Sequence, residues 1–272
     1  MADTSPSEKK RQDNANWARP ITSLLVSRVP TGSLNLNVDG RQMVGPLQGF
    51  GKLWHKTFRL GLPDTTLTPT EVMQIWKTNF PRFQPAQNRF FPITTLDPGE
   101  IMLINASMIG MPVSTGMMVL YADEESFTLM TPQGHPESGW VTFSTSLEDD
   151  EIVCQVQTMT RANDPLYEYS FRLFGSRAQD RIWTHVLEAL AAHLCAAEQT
   201  QADSSPDPEA RRASGADEKG AQVEVIKLCL DPRVQWSEAK NIWQNAAIRT
   251  LFYTLSAPIR WLKRKRTKNI SD

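Results

Sequence analysis

Cysteine is scarce in this chain: Cys154, Cys195 and Cys229 stand far apart and form no CxxC spacing. That argues against a disulfide framework and a structural zinc site, and makes a reducing cytoplasm the expected setting. Histidine is equally sparse. His185 and His193, eight residues apart, lack the i, i+4 spacing of a helical metal pair, and His55 and His135 complete the set. No metal and no other cofactor is expected. There is no Gly-rich phosphate loop and no internal repeat, and Ser138 does not sit on a G-x-S-x-G elbow of the hydrolase kind. Neither sign of charge is in excess, since 29 Lys and Arg face 30 Asp and Glu; no global field recruits nucleic acid, which is not expected as a partner. The N-terminal run MADTSPSEKKRQDNANW has no apolar centre and is not expected to be a secretory signal.

What is present begins with an uncharged run, IMLINASMIGMPVSTGMMVLY, from Ile101 to Tyr121. Its length alone permits a membrane span. Asn105, Ser107, Gly110, Pro112, Ser114, Thr115 and Gly116 interrupt it, so it reads as two apolar strands around a turn or loop.

Local signals place the remaining elements. A strand covers Leu53 to Leu60, and a helix follows with Thr68 as cap, Pro69 in the first turn and Glu71 completing a capping box. Val72, Ile75 and Trp76 form its core face, and Pro81 ends it near Asn79. Strands are predicted near 100–105, 116–122, 126–131, 139–147 and 151–161, with a hairpin turn at Glu148-Asp149-Asp150. Asp164 caps a short helix that Gly175 closes. Arg177 to Ala197 is a long amphipathic helix with Ile182, Val186, Ala189, Leu190 and His193 or Leu194 facing the core.

Composition divides the chain into a polar, disordered N-terminus (1–20), a domain over 46–197, a flexible linker (198–222) rich in Ser, Pro, Ala and charge, and a C-terminal segment (223–272). That last segment holds a short strand, VEVIKLCL, an amphipathic helix from Ser237 to Leu255, and a basic tail. In the tail Trp261 stands beside Lys263, Arg264, Lys265 and Arg266. Aromatic and basic residues together suit an anionic membrane surface, and these five are the candidate membrane contacts. The alternative is a helix docked on its own domain with a solvated tail.

The densest motif is Gly134-His135-Pro136-Glu137-Ser138-Gly139, just before an alternating strand. It is either a structural corner that satisfies backbone groups or the polar mouth of a pocket, where His135 and Glu137 orient a ligand or move a proton. Arg161, ending an otherwise half-apolar strand, is the expected ion partner of Glu137. With Phe143, Arg161 and the preceding Tyr121-Ala122-Asp123-Glu124, the motif resembles a bacterial and plant family of unknown function carrying GHPE-x-G, in the START-like, pollen-allergen-like helix-grip superfamily. The similarity runs over roughly 46–197, with Trp140 and Val141 where the family often has an acidic residue. It implies an α+β helix-grip fold: a curved antiparallel sheet packed on a long C-terminal helix, with a cavity between. Here a helical C-terminal extension follows.

Six of the ten methionines, Met102, Met108, Met111, Met117, Met118 and Met130, fall on the apolar strands and their connection. They are ordinary core or a deformable ligand lining. The leading reading is a non-catalytic protein that binds a hydrophobic small molecule or lipid in an internal cavity. Met102, Met117, Met118, Met130, His135, Glu137, Phe143 and Arg161 are its candidate ligand contacts. The rivals are a cyclase- or dehydratase-type enzyme with His135 and Glu137 as acid and base, and a membrane-associated adaptor without ligand. The expected location is cytoplasmic, or peripheral on the inner face of the membrane.

Overall fold

Among the residues that the computed structural model describes (15–63, 65–92, 96–108, 110–204, 222–258 and 260–261), nine strands form one antiparallel sheet. They are β1 (Met43–Val44), β2 (Leu53–Leu62), β3 (Asn88–Pro92), β4 (Ile101–Met108), β5 (Met111–Ala122), β6 (Ser126–Pro132), β7 (Glu137–Glu148), β8 (Glu151–Ala162) and β9 (Glu224–Asp231). The order across the sheet is β3-β4-β5-β6-β7-β8-β2-β9, with β1 paired only to β6. Consecutive strands are neighbours from β3 to β8, which short hairpins enforce. The β7–β8 hairpin turns on Asp149 (φ 48°) and Asp150 (φ 66°), both in the left-handed region that Asp tolerates in a two-residue loop.

The helices are α1 (Pro69–Asn79), α2 (Pro165–Ser170), α3 (Ser176–Ser204) and α4 (Ala246–Leu255). The predicted capping box is present on α1: Glu71 N–H donates to Thr68 Oγ1 at 3.3 Å and Thr68 N–H to Glu71 Oε2 at 2.7 Å. At α2, Asp164 Oδ1 accepts from Leu166 N and Tyr167 N, at 2.9 and 3.1 Å.

Packing revises four expectations. Gly175 does not close a helix; the chain runs from α2 through one π turn, Phe171–Gly175, directly into α3. The buried face of α3 also differs from the one expected. That face is Trp183, Val186, Leu187, Leu190, Ala191 and Leu194, all buried; Ile182 and Ala189 are only half-buried, and His193 is exposed against the Phe83 ring. β5 begins at Met111, so the polar stretch around Ser114 is strand and not loop. Its polar groups are met from outside the sheet: Ser114 Oγ donates to Leu34 O, its N–H donates to Thr250 Oγ1, and its carbonyl accepts from Asn37 Nδ2. Finally, the helix expected from Ser237 is a 3₁₀ helix over Trp236–Gln244 and then α4, broken where Asn245 Oδ1 caps Ile248 N at 2.9 Å.

One face of the sheet, with α1 and α3, encloses the main core. Phe127 and Phe143 stack at 4.5 Å, and Trp76 and Phe80 meet them edge-on. On the other face, Leu24 and Val38 cover Ile101, Leu103 and Met118. Residues 1–14 of the expected disordered N-terminus and 205–221 of the expected linker lie outside the described residues. Trp17, in the described part of the expected N-terminal region 1–20, bridges to Tyr121. The C-terminal strand β9 is hydrogen-bonded to β2 at the sheet's end, with Phe58 opposite Val225.

Candidate functional site

The six-residue motif is a tight corner with two working sides. Gly134 has φ 85°, and a Cβ there would lie 2.0 Å from the Gln244 carbonyl oxygen, so only glycine fits. Outward, the corner receives the C-terminal segment and the β8 end: Ala246 N donates to Gly134 O at 2.9 Å, and Asn163 N to Pro136 O at 3.0 Å. Inward, it presents His135 and Glu137 to a cavity between the sheet and α3.

That cavity measures about 210 Å³. Its apolar wall includes Ile104, Met117, Val141, Phe171, Ile182 and Trp183, and its polar residues include Gln87, Asn88, Ser107, His135, Glu137 and Gln179 beside four threonines. A wider depression of about 1390 Å³ near Gln74, Lys77, Met102 and Asp123 is open to solvent and mixed in polarity. Its mainly apolar wall, with His135 and Glu137 on it, makes the smaller cavity the candidate site.

Burial pushes the His135 pKa down to about 4, so the ring is neutral at pH 7. Its Nδ1 lies 3.1 Å from Glu137 N and accepts that N–H when the proton is on Nε2. Burial also raises the Glu137 pKa, opposed by the charge of Lys56 and by hydrogen bonds from Thr160 and Gln179. Glu137 keeps some accessible surface because it lines the cavity. Its Oε1 accepts from Thr160 Oγ1 at 3.2 Å and Gln179 Nε2 at 2.6 Å. Gln179 Oε1 accepts from Lys56 Nζ at 2.5 Å, and Lys56 pairs with Asp180 at 3.1 Å. Glu137 is therefore tied to a buried cation through an amide.

The expected Glu137–Arg161 pair is absent. In the β7–β8 register Glu137 stands opposite Ala162 and Ser138 opposite Arg161, so Glu137 and Arg161 project from opposite faces of the sheet. Arg161 instead donates to Gly51 O and Arg233 O and pairs with Asp231 at 2.7 Å.

Of the other candidate contacts, Met117 lines the cavity. Met102 is buried in the main core beside the wider depression, and Phe143 is fully buried in the aromatic stack. Met118 belongs to the cluster on the opposite face, and Met130, its cross-strand partner, shares that face. Trp261 is exposed; Lys263, Arg264, Lys265 and Arg266 lie outside the described residues.

Sequence reasoning passed over Lys56, Thr115, Thr158, Gln179 and Trp183. For Lys56 a signal existed: it shares strand parity with Phe58, Leu60 and Leu62, all buried, and a lysine in a core-facing set is unusual.

No family model matches the chain, and no curated protein matches it. Among solved structures, Ara h 8.0201 is similar at 14% identity and a TM-score of 0.36, over 53% of this chain and 99% of its own. TTHA0849 from Thermus thermophilus is similar at 12% and 0.42, over 53% and 98%. The di-domain ARO/CYC StfQ from the steffimycin biosynthetic pathway is similar at 9% and 0.41, over 52% and 50%. Similarities this weak assign neither ligand nor activity. The sheet and α3 by themselves have the helix-grip arrangement, a large antiparallel sheet holding a long helix against one face. Among the described residues no helix is long and apolar enough to cross a membrane.

Proposed function

We propose that this chain is a non-catalytic binder of a hydrophobic small molecule, held between the sheet and α3. The observation that carries the reading is the cavity of about 210 Å³, whose exposed wall is mainly apolar. Each 100 Å² of apolar ligand surface buried there contributes about 2.5 kcal/mol before association costs. The resemblance of Gly134–Gly139 to the GHPE-x-G family supports the same reading through the cavity that its fold implies.

The polar end favours binding over acid–base catalysis. The His135 Nδ1 is engaged by the Glu137 backbone, and one Glu137 oxygen is held by two donors. Native mass spectrometry of the purified full chain tests the reading. A co-purified small molecule, and an increase in melting temperature when it is added back, are expected. Absence of any bound species, with no thermal response to a broad panel of apolar compounds, refutes it.

A second reading, attachment to an anionic membrane, draws on α4 and the C-terminal tail. Phe252, Leu255 and Trp261 are 69%, 66% and 57% exposed. The sequence continues into Lys263-Arg264-Lys265-Arg266. Exposed aromatic and aliphatic side chains beside a basic run suit the headgroup boundary.

A further inference from the structure

We infer that the chain forms a two-fold dimer in which β9 pairs, antiparallel, with β9 of a second copy, so that two sheets become one. The inference does not depend on the cavity.

The two ends of the sheet are built differently. β3 forms one with five residues and finishes on Pro92, which has no N–H to offer a further strand. β9 forms the other with eight residues and no proline, and among the described residues no strand lies beyond it. Over 224–229 its register with β2 is regular, and the one irregularity, an extra residue at Leu230, is confined to the far end. A regular, apolar edge presents backbone N–H and C=O groups that template another strand. A lysine often guards such an edge, but Lys227 is held by Asp180 on α3.

Side-chain parity adds an apolar surface. Val225 stands opposite Phe58 and Lys227 opposite Lys56, both core-facing, so Ile226 and Leu228 project from the outer face. Leu228 ends a cross-strand row of half-buried residues on that face, Met130, Trp140, Met159 and His55. Ile226, Leu228 and Leu230 are 51%, 54% and 45% exposed. Trp236, set beside the start of β2 by its edge-on contact with Phe50, is 75% exposed. Side chains of these sizes and exposures offer on the order of 400 Å² of apolar surface. That is the apolar half of the roughly 800 Å² per partner in a standard interface.

A second copy is the occupant that these features fit. A two-fold axis perpendicular to the sheet lays β9 antiparallel to its own copy and sets residues of equal parity opposite each other. With Ile226 on the axis, residues 223–229 of each copy pair, the irregularity at Leu230 stays outside, and Ile226 meets itself. Each charged residue then faces an uncharged one, Glu224 against Leu228 and Lys227 against Val225. Moving the axis to Lys227 opposes two lysines, which is unfavourable. Moving it on to Leu228 brings Leu230 into the pairing.

Sedimentation of the full chain at micromolar concentration tests the inference. A species of twice the 30.7 kDa chain mass is expected. Ile226→Lys and Leu228→Lys, at exposed positions, are each expected to give a monomer, with circular dichroism confirming the fold. In a chain whose Cys195 and Cys229 are replaced by serine, a short bismaleimide is expected to join copies through Ile226→Cys but not through Leu147→Cys, on β7. A wild-type monomer overturns the dimer. Slow hydrogen exchange along the free edge of β9 in that monomer identifies the chain's own remaining segments as the cover instead. A dimer that both lysine variants leave intact overturns the assignment to β9. Preferential cross-linking through Leu228→Cys overturns the placing of Ile226 on the axis.

Discussion

Arg161 and Asp231 pair at 2.7 Å, joining the end of β8 to the end of β9. Arg161 is 3% exposed and also donates to Gly51 O at 2.6 Å and Arg233 O at 2.9 Å. One buried guanidinium thus holds the segment before β2 and the segment after β9 to the sheet. The hydrogen bond from Arg161, followed by those from Arg233, keeps the Asp231 carboxyl well below the usual carboxylate range.

This geometry predicts which double-mutant cycle shows coupling. Arg161→Met and Asp231→Asn are expected to be non-additive, since each removes the same contact. Arg161→Met and Glu137→Gln, on opposite faces, are expected to add to within about 0.5 kcal/mol. Urea unfolding of the single and double variants checks both. Asp231's depressed pKa adds a pH signature: its contribution is present above the ordinary value of 3.8 and is lost on further acidification.

His135 predicts acid sensitivity at a higher pH. Its folded pKa, about 4, is below the ordinary 6.5, so between these values the unfolded chain binds more protons. Stability is full above 6.5 and falls as pH drops toward 4, by about 2–3 kcal/mol. His135→Asn, whose amide oxygen can still accept from Glu137 N–H, is expected to remove most of that slope. Glu137 acts in the opposite sense. Its raised pKa favours the fold at low pH and is a cost once ionised, so Glu137→Gln is expected to raise stability at neutral pH. Unfolding curves at about pH 7.5 and about pH 4.5 separate the two.

Gly134→Ala is expected to cost more than about 2 kcal/mol, because it combines a left-handed backbone with a clash against another main chain. The Gln244 carbonyl has to move, so the loss is expected with earlier proteolysis of the segment beyond β9. Wild-type stability and wild-type cleavage in this variant would contradict the close approach.

Neighbouring methionines are expected to behave differently. Met117→Ala enlarges the cavity and changes affinity for 2-naphthol. Met118→Ala, on the other face, leaves that affinity unaltered while losing about 2–5 kcal/mol of stability. Calorimetric titration and melting of both variants measure the contrast.

Membrane attachment predicts that the full chain floats with anionic but not neutral vesicles, while a chain ending at Ala257 does not float. Flotation is expected to weaken as salt rises. Equal behaviour of the two chains removes the membrane reading.

The elements that were legible in the sequence are those set by neighbouring residues. Thr68 and Glu71 cap α1 through contacts three residues apart, and Asp164 caps α2 over two and three. Asp149 and Asp150 turn the β7–β8 hairpin alone. The helix-grip architecture followed from these and from the resemblance at Gly134–Gly139. His135, Glu137 and Met117 line the cavity. Met118 and Met130 lie on the other face, Phe143 is in the aromatic stack and Arg161 is tied to Asp231, because composition names apolar and charged residues without saying which face of a strand they occupy.

By itself the sequence determined β2, β4, β6, β7, β8, β9, α1, the long helix and the corner at Gly134, since capping, turn chemistry and apolar periodicity act within a few residues. Tertiary structure decided the partners. A single-residue register between β7 and β8 sent Glu137 inward to Gln179 and Lys56, and Arg161 outward to Asp231. The seating of α3 on the sheet turned Trp183, not Ile182, fully into the core beside the cavity. These contacts join segments far apart in the chain, and strand parity, which the fold alone establishes, chooses which side chains can meet.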